Sequence, residues 1–557
     1  MSRNANGRFS EVPQAKISRS TFDRSSSVKT TFNAGDLIPF YVDEVLPGDT
    51  FSIDTNKVVR LQTPLTPIMD NIYLDTYYFF VPNRLVWQHW VNLMGENTES
   101  AWIPETEYTI PQVTAPTSGW AVGSIADYMG VPPQVADLSV NALPFRAYAL
   151  IVNEWFRDEN LQDPVNIPTG DATQTGSNGS DYVNDLALGG RPFIAGKLHD
   201  YFTSCLPSPQ KGPDVTIPLF QGNIPVVTEN TDVPNLSSIP LRFGMLNADD
   251  TSAYVPMMTP FEGTGLAHPY EMKYGTKQAA PGAGTKPSYT GPVNLFAQIN
   301  DVAVASINSL RLAFQTQKYF EKLARGGSRY IESIKVNFDV TNPDYRLQRP
   351  EYLGGNRIPI TINQVIQNSQ STEGSPQGTT TGQSLTTDRH SDFTKSFTEH
   401  GYIIGLIVAR YRHTYQQGLA RMWSRKSALD FYFPVFANIG EQPVLNKEIY
   451  AQPSSTVNDE VFGYQEAWAE YRYRPSICTS EMRSQYSASL DIWHLGDDYS
   501  SLPHLSSEWI QEDKSNVDRV LAVTSDVANQ FLADIYIRCK ATRPMPVYSV
   551  PGLIDHH

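Results

Sequence analysis

Cysteine is scarce in this chain, which contains three among 557 residues. Cys205, Cys478 and Cys539 lie far apart and form no CxxC pair, so the sequence lacks the spacing of zinc fingers and of thioredoxin-type redox sites. An odd number of cysteines also argues against a disulfide framework and fits a reducing cytoplasm.

Long apolar runs and leader segments are missing as well. The longest apolar run, residues 402–409, is well short of the ~18 residues that a membrane-spanning helix needs, and we predict that it forms a buried strand. The N-terminus, Met1-Ser2-Arg3-Asn4, has no apolar core of a signal peptide. The sequence therefore predicts no membrane insertion.

Charged side chains are few, at 18% of the chain against a usual ~25%, whereas there are 29 tyrosines and 40 prolines. Low charge with many tyrosines and prolines suggests that other molecules cover much of the surface. A loop-rich β protein without partners would give the same composition, so composition alone leaves both interpretations open.

The sequence contains no GxxxxGK[ST] phosphate loop, no GxGxxG after a strand, no GxSxG elbow and no HExxH zinc pair. Neither His494 with His504 nor the dipeptide Asp497-Asp498 specifies a metal site. Glu466 and Glu470 share a helical spacing, but nearby arginines favour a structural role over a catalytic pair. We therefore predict no catalytic residue, no cofactor and no metal.

The net charge of −15 argues against a surface that binds nucleic acid throughout. Residues 1–30 differ, because they hold six basic and two acidic side chains and are predicted to form a flexible N-terminal arm. Such an arm can neutralise phosphates without reading sequence, although a solvated tail is an alternative. The candidate DNA-binding residues here are Arg3, Arg8, Lys16, Arg19 and Arg24.

Strand and helix signals divide the rest of the chain. Strands are predicted at 72–81, 333–340, 401–411, 519–524 and 533–540. We predict one helix capped by Asn83, a second with Pro144 in its first turn, and a third from about Asp301 to Arg325. His89 is expected in the core, and Leu310 and Phe314 are expected on the buried side of the third helix.

Two stretches stand apart in composition. Residues 203–292 hold 13 of the 40 prolines and are predicted to be a loop-built subdomain inserted into the main fold. Residues 366–392 include a Gly/Ser/Thr/Gln-rich run and are predicted to be a mobile exposed loop. The main fold would then consist of residues 31–202 and 293–557.

Residues 461–476 crowd aromatic side chains against two carboxylates and two guanidinium groups. Interface cores are enriched in aromatic residues and arginine, so we predict contacts between subunits here. The candidate interface residues are Tyr464, Glu466, Trp468, Glu470, Tyr471, Arg472 and Arg474.

Basic and aromatic residues also alternate between 410 and 426. Arg421, Arg425 and Lys426, near Trp423, could hold single-stranded DNA by neutralising phosphates and stacking on bases. Arginine-rich contacts between subunits are the favoured alternative.

Residues 461–476 also resemble a signature segment of the major capsid proteins of microviruses, in the gokushovirus branch of small icosahedral phages with single-stranded DNA. The same resemblance recurs in order along most of the chain, although residues 203–292 and 366–392 show none. Its further segments are residues 20–24, 32–40, 323–330, 413–419 and 423–434.

The resemblance implies a mainly β fold, namely a viral jelly roll: an eight-stranded, two-sheet β-sandwich with long inserted loops and a few helices. It implies a structural protein of the virion, assembled in the cytoplasm of a bacterial host, whose copies form a T=1 shell around circular single-stranded DNA. Implied partners are further copies, the genome, a small basic DNA-packaging protein and a receptor on the host surface. The host-attachment protrusion at the threefold axes would be residues 203–292.

Two other classes of protein are weighed against this interpretation. A secreted β-rich carbohydrate-active enzyme would need a signal peptide and a cleft with two carboxylates. A phage receptor-binding protein would usually show repeats or a fibrous shaft, and the sequence shows no such period.

Overall fold

The computed structural model describes residues 18–97, 106–213, 215, 226–228, 242–246, 252–256, 289–292, 295–297, 307–369, 371 and 376–548. The chain separates into two compact units. The main unit comprises residues 1–212 and 320–557, and the second comprises residues 213–319.

The strands of the described residues are, in chain order, β1 (Ser20–Asp23), β2 (Ser26–Phe32), β3 (Asp36–Val45), β4 (Thr50–Leu61), β5 (Ile72–Pro82), β6 (Gln112–Thr114), β7 (Ser139–Asn141), β8 (Gln174–Thr175), β9 (Phe193–Ile194), β10 (Val226–Thr228), β11 (Arg242–Leu246), β12 (Ser252–Pro256), β13 (Tyr289–Pro292), β14 (Leu295–Ala297), β15 (Glu351–Pro359), β16 (Ile362–Ile366), β17 (Thr380–Ser384), β18 (Thr386–Ser396), β19 (Gly401–Tyr411), β20 (Thr414–Tyr415), β21 (Glu441–Leu445), β22 (Val461–Glu466), β23 (Ser476–Ile477) and β24 (Phe531–Arg543).

The α-helices of the same residues are α1 (Asn83–Val86), α2 (Trp90–Leu93), α3 (Ile125–Tyr128), α4 (Leu143–Ile151), α5 (Ile307–Gly326), α6 (Tyr330–Phe338), α7 (Asn446–Ile449), α8 (Ser455–Asn458) and α9 (Ser515–Val520). A π-helical turn, Val152–Phe156, extends α4.

Eight long strands form a two-sheet sandwich in the main unit. One sheet has the order β2-β24-β4-β18, with β1 also pairing β24, and the other has the order β15-β5-β19-β3, extended by β9. All pairings in the two sheets are antiparallel. Most consecutive strands switch sheets, which is the connectivity of a jelly roll. The mainly β fold implied by the resemblance is confirmed.

The burial of β24 and β19 shows where the core lies. β24 alternates buried and exposed residues along most of its length, because only one face of its sheet packs on the sandwich core. β19 is buried at nine successive positions. Ile403 and Ile407 face the sandwich core, whereas Ile404 and Leu406 face a second apolar layer built around α4. The predicted buried strand is therefore confirmed.

Long connections between the strands of the sandwich form the rest of the described main unit. The one between β5 and β15 carries α4, and the predicted place of Pro144 in its first turn is confirmed. The one between β19 and β24 packs against residues 201–206 in a third apolar cluster that includes Phe202, Tyr415 and Phe462. Because Phe202, Cys205 and Leu206 are buried here, the predicted boundary at residue 203 is wrong and the main unit continues to Gly212.

Several predicted elements are wrong. Residues 333–340 alternate apolar and polar side chains, yet they lie mostly in helix α6, where Glu332 accepts a hydrogen bond from the backbone N–H of Arg329 at 3.1 Å. Residues 519–524 begin at the end of α9, where the guanidinium of Arg519 donates to the carbonyl oxygens of His494 and Gly496 at 3.1 and 2.8 Å. In both places local and tertiary hydrogen bonds outweigh strand propensity.

The helix predicted from Asn83 is two separate turns, α1 and α2. Trp87 is extended between them and donates from Nε1 to Asp171 at 2.7 Å. His89, predicted to lie in the core, instead pairs with Asp171 at 2.8 Å and is 26% exposed. In the third helix, α5, Leu310 and Phe314 are exposed rather than buried.

Two predicted flexible segments also contain regular structure. The second half of the N-terminal arm forms β1 and β2, which pair along β24. The predicted mobile loop 366–392 contains β17, which pairs β16, and half of β18. Threonine is frequent in both segments, and its branched side chain suits a pleated surface. The prediction of a flexible arm is therefore wrong for residues 20–30.

The described residues of the second unit, 213–319, form two small antiparallel sheets. One has the order β12-β11-β13 and the other consists of β10 and β14. The predicted loop-built subdomain therefore has strands as well as loops.

A buried ionic cluster fixes the connection between β19 and β24. His413 follows β19 and is fully buried, with Nδ1 2.8 Å from Asp497 and Nε2 2.9 Å from Glu512. Burial alone would lower the pKa of His413, but the two carboxylates outweigh burial and raise it to about 10. Burial would raise the pKa of Asp497, but His413 outweighs burial and holds it at about 2. The imidazolium therefore ties two distant parts of this connection to the sheet.

Replacing His413 with glutamine should lower the free energy of unfolding by about 3–5 kcal/mol, because it leaves two buried carboxylates without their cation. The exposed His199→Gln should change it by at most about 0.5 kcal/mol. Denaturant unfolding of the unassembled chain measures both. Equal, small effects would show that the cluster is dispensable.

The contribution of this cluster should also depend on pH. The folded pKa of His413 lies above its ordinary 6.5, so its stabilisation is complete below that pH and is lost as pH rises toward about 10. The folded pKa of Asp497 lies below its ordinary 3.8, so its stabilisation is lost as pH falls toward about 2. The stability difference between the unchanged chain and His413→Gln should therefore be larger near pH ~6 than near pH ~9.

Candidate subunit interface

The segment 461–476 begins as strand β22, which pairs β21, and then turns sharply. The turn depends on Trp468, whose φ of 65° lies in the left-handed region that is unusual for a tryptophan. Its indole is 5% exposed and donates from Nε1 to the carbonyl oxygen of Phe436 at 2.9 Å. Trp468 therefore supports this surface from beneath, and its predicted contact with a neighbour remains a prediction.

Arg425 organises the surface above this tryptophan. Its guanidinium lies 4.5 Å from the ring centroid of Tyr471 and 5.1 Å from that of Phe431, and it donates to Glu470 at 3.2 Å. A cation held between aromatic faces and a carboxylate fixes the orientation of all three partners. The aromatic rings are thus preorganised before any contact with another molecule.

The charged residues of the segment are largely paired within the chain. Arg472 forms an ion pair with Glu466, and Glu470 pairs with Arg425. The two glutamates therefore each have an arginine partner, which favours the structural role over a catalytic carboxylate pair. Arg474 and Tyr471 are exposed, whereas Tyr464 is half-buried and its backbone pairs with Leu206.

A run of exposed apolar side chains precedes this segment in the chain. Residues 419–439 contain nine large apolar side chains that are 38–86% exposed. Contiguous apolar exposure of this kind marks contact sites on soluble proteins. We name residues 419–439 the aromatic segment, and its exposed members are Leu419, Met422, Trp423, Leu429, Phe431, Tyr432, Phe433, Val435 and Ile439.

The sequence matches the family described as capsid protein (F protein) over residues 10–553. The capsid protein VP1 of Chlamydia phage 1 is 45% identical over 586 residues, covering 98% of this chain and 97% of that protein. VP1 of Spiroplasma virus 4 is 42% identical, covering 98% and 97%, and VP1 of the Bdellovibrio phage phiMH2K is 42% identical, covering 99% and 98%.

This chain belongs to the capsid protein (F protein) family. The predicted resemblance to gokushovirus capsid proteins is thereby confirmed. The chain is a structural component of the virion and not an enzyme, which sets aside the carbohydrate-active alternative. No described helix is long and apolar enough to cross a membrane.

The candidate DNA-binding residues are scattered over the main unit. Arg24 is committed to an ion pair with Asp43 at 2.7 Å, and Arg421 donates to the carbonyl oxygen of Pro443 at 3.0 Å. Arg425 is 11% exposed within its aromatic cage. Burial and intrachain partners leave these three poorly placed to bind phosphate.

Arg19 and Lys426 are exposed and open to a partner. Arg3, Arg8 and Lys16 lie outside the described residues. The predicted DNA contacts therefore remain a prediction, as do the contacts between subunits.

The extent of the aromatic segment does not follow from the sequence. Trp423 and residues 431–434 belong to the family resemblance, but their periodicity gives no reason to expect them to be exposed. The signal that could have found them is the run of aromatic residues interrupted by Pro434 and by short polar stretches, which suits neither a helix nor a buried strand.

Replacing Trp423, which is 71% exposed, with serine should weaken assembly, because truncating a central aromatic at an interface costs about 2 kcal/mol or more per contact. The unassembled chain should keep its unfolding free energy within about 0.5 kcal/mol. Sedimentation velocity and denaturant unfolding provide the two readouts.

Trp468→Ser is the matched control, since it truncates a buried tryptophan. It should lower the unfolding free energy by about 3–5 kcal/mol. If Trp423→Ser assembled normally, or lost as much stability as the control, the aromatic segment would not be an interface.

Proposed function

We propose that copies of this chain close into a T=1 icosahedral shell that encloses circular single-stranded DNA. The observation that carries this proposal is the aromatic segment, which exposes large rings on a chain whose sandwich core is otherwise well buried. Burying such rings against a copy of the same chain releases apolar surface from water and supplies attraction without a cofactor. Each copy of the chain would contribute one rigid jelly roll to the closed shell.

The charge of the chain limits how the genome is held. A net charge of −15 repels a polyanion, so local basic residues and a small basic packaging protein would supply the neutralising charge. The exposed Arg19 and Lys426, with Arg3, Arg8 and Lys16 of the N-terminal segment, are the candidates within the chain. Assembly would take place in the cytoplasm of the bacterial host.

Negative-stain microscopy of the expressed full-length chain tests the shell. Closed particles of one size support it, and a clean monomer at all concentrations contradicts it.

Deleting residues 2–17 should lower the amount of nuclease-protected DNA per particle more than it lowers the yield of particles. The physical reason is that these residues precede β1, so the sheet is kept while three cations are lost. Full DNA content in the shortened particles would contradict a genome-binding role. An Arg3→Gln, Arg8→Gln, Lys16→Gln variant of full length separates charge from length.

We further propose that the second unit, residues 213–319, is the outward protrusion that binds the host receptor. Its ends are adjacent in the main unit, since the backbone N–H of Lys211 donates to the carbonyl oxygen of Phe320 at 3.3 Å. Because these two ends lie side by side in the main unit, the sequence between them can change without altering the sandwich.

Replacing residues 213–319 with a short Gly/Ser linker should leave particle assembly intact and abolish adsorption to host cells. Sedimentation measures the yield of particles. Direct counting of the particles bound to cells measures adsorption without relying on infection. Loss of assembly would instead place this unit in the shell, and normal adsorption would exclude it as the attachment site.

A further inference from the structure

A large cavity opens in the main unit beside the second sheet. Its volume is about 1080 Å³, at the upper end of the roughly 300–1,000 Å³ that is usual for ligand pockets. Its walls come from β5, from the end of β19, from residues 196–201 and 324–329, and from residues 472–476. Parts distant in sequence thus converge on one concave surface.

Cationic groups outnumber carboxylates on this surface. Nine arginine and lysine side chains line the cavity with three carboxylates, on a chain that is acidic as a whole. Two of the arginines, Arg357 and Arg410, share the single buried carboxylate of Asp75. The Nε atoms of Arg410 and Arg329 are buried and donate to no described atom.

The cations at the rim are the least satisfied. Arg412 and Arg474 are exposed and form no ion pair with any described residue. The guanidinium of Arg412 lies 6.0 Å from the ring of Tyr73, and that of Arg357, itself 50% exposed, lies 6.0 Å from the same ring. Arg357 is paired with Asp75, whereas Arg412 and Arg474 have no carboxylate partner among the described residues and are available to an anionic ligand.

Aromatic rings make up the other part of the wall. Eight aromatic side chains line the cavity. Among them Trp155 is 36%, Tyr352 42% and Tyr473 51% exposed. Alternating guanidinium groups and exposed ring faces are the combination that holds single-stranded nucleic acid, with phosphates on the cations and bases on the rings. A carboxylate of a neighbouring protein would use the cations but not the rings.

We propose that this cavity binds a few nucleotides of single-stranded DNA, with Arg412 and Arg474 contacting phosphates and Tyr352 stacking on a base. This site is separate from the residues of the N-terminal arm and of the aromatic segment. The inference rests on the proposed function in one respect, namely that the chain encloses single-stranded DNA.

Binding of a labelled oligothymidylate of about eight nucleotides to the unassembled full-length chain tests the proposal. The double variant Arg412→Gln/Arg474→Gln should weaken binding, and the slope of log affinity against log salt should become shallower by about 1.4, because two single-strand phosphate contacts are lost. The matched control is Arg346→Gln/Arg389→Gln, which removes two exposed arginines that do not line the cavity. The control should keep the original slope.

Tyr352→Leu separates a polynucleotide from free phosphate. It should weaken oligothymidylate about 5- to 150-fold, the range expected when one stacked base is lost, and leave the affinity for inorganic pyrophosphate unchanged. Unchanged pyrophosphate binding also shows that the variant is folded. Equal weakening of both probes would overturn the stacking role.

Equal losses in the cavity variant and its arginine control would overturn the proposal, since binding would then follow total charge. Loss of assembly in the cavity variant with no oligonucleotide binding by the unchanged chain would also overturn it, and would assign the cavity to a carboxylate of a second copy. Particles that protect DNA while their unassembled subunits show no cavity-dependent binding would overturn this inference and leave the proposed function intact. Particles without DNA would overturn the proposed function itself.

Discussion

Burial of one strand, β19, on both faces is the constraint on which the main unit depends. One face of β19 completes the sandwich core, and the other carries the apolar layer around α4. If both outer faces of the jelly roll were exposed to solvent, the long connections would have no apolar surface of the sheet to pack against. Because the strand also ends at His413, the same element positions the buried ionic cluster that ties down the connection to β24.

The rigid core and the proposed contact surface are therefore different parts of the main unit. The core of the sandwich is fully packed, whereas the aromatic segment exposes nine large apolar side chains. Two of its rings are nevertheless held in place, because Arg425 lies against Phe431 and the buried Trp468 packs against Tyr432. Ordering the surface within one chain lowers the entropy lost when two copies meet. Assembly can then proceed through contacts that are individually weak.

The sequence was most informative where a single period dominates. The alternation of β24 and the continuous apolar run of β19 follow directly from one-sided and two-sided burial. The sequence was least informative where tertiary partners decide. Asp171 draws Trp87 and His89 out of a continuous helix, and no local pattern indicates a partner more than eighty residues away.

The candidate interface shows the same division. Aromatic density in residues 461–476 led to the prediction of an interface there, but it could not distinguish the buried Trp468 from the exposed Tyr471. That distinction depends on a left-handed backbone at Trp468, which the sequence does not signal in a residue other than glycine or asparagine. The cavity beside the second sheet could not be predicted from the sequence either, because the residues that line it are hundreds of positions apart in the chain.

The pairing of charges changes how register between copies is to be explained. Arginine–carboxylate pairs across an interface are one way to set register. In the structure Glu466 and Glu470 are already paired with arginines of the same chain, and the more exposed of the two pairs, Glu466 with Arg472, contributes little to stability. In the proposed interface, shape and the fixed directions of the aromatic rings define how neighbours align. Within one chain, the guanidinium of Arg425 lies against the rings of Phe431 and Tyr471 and holds these two rings in place.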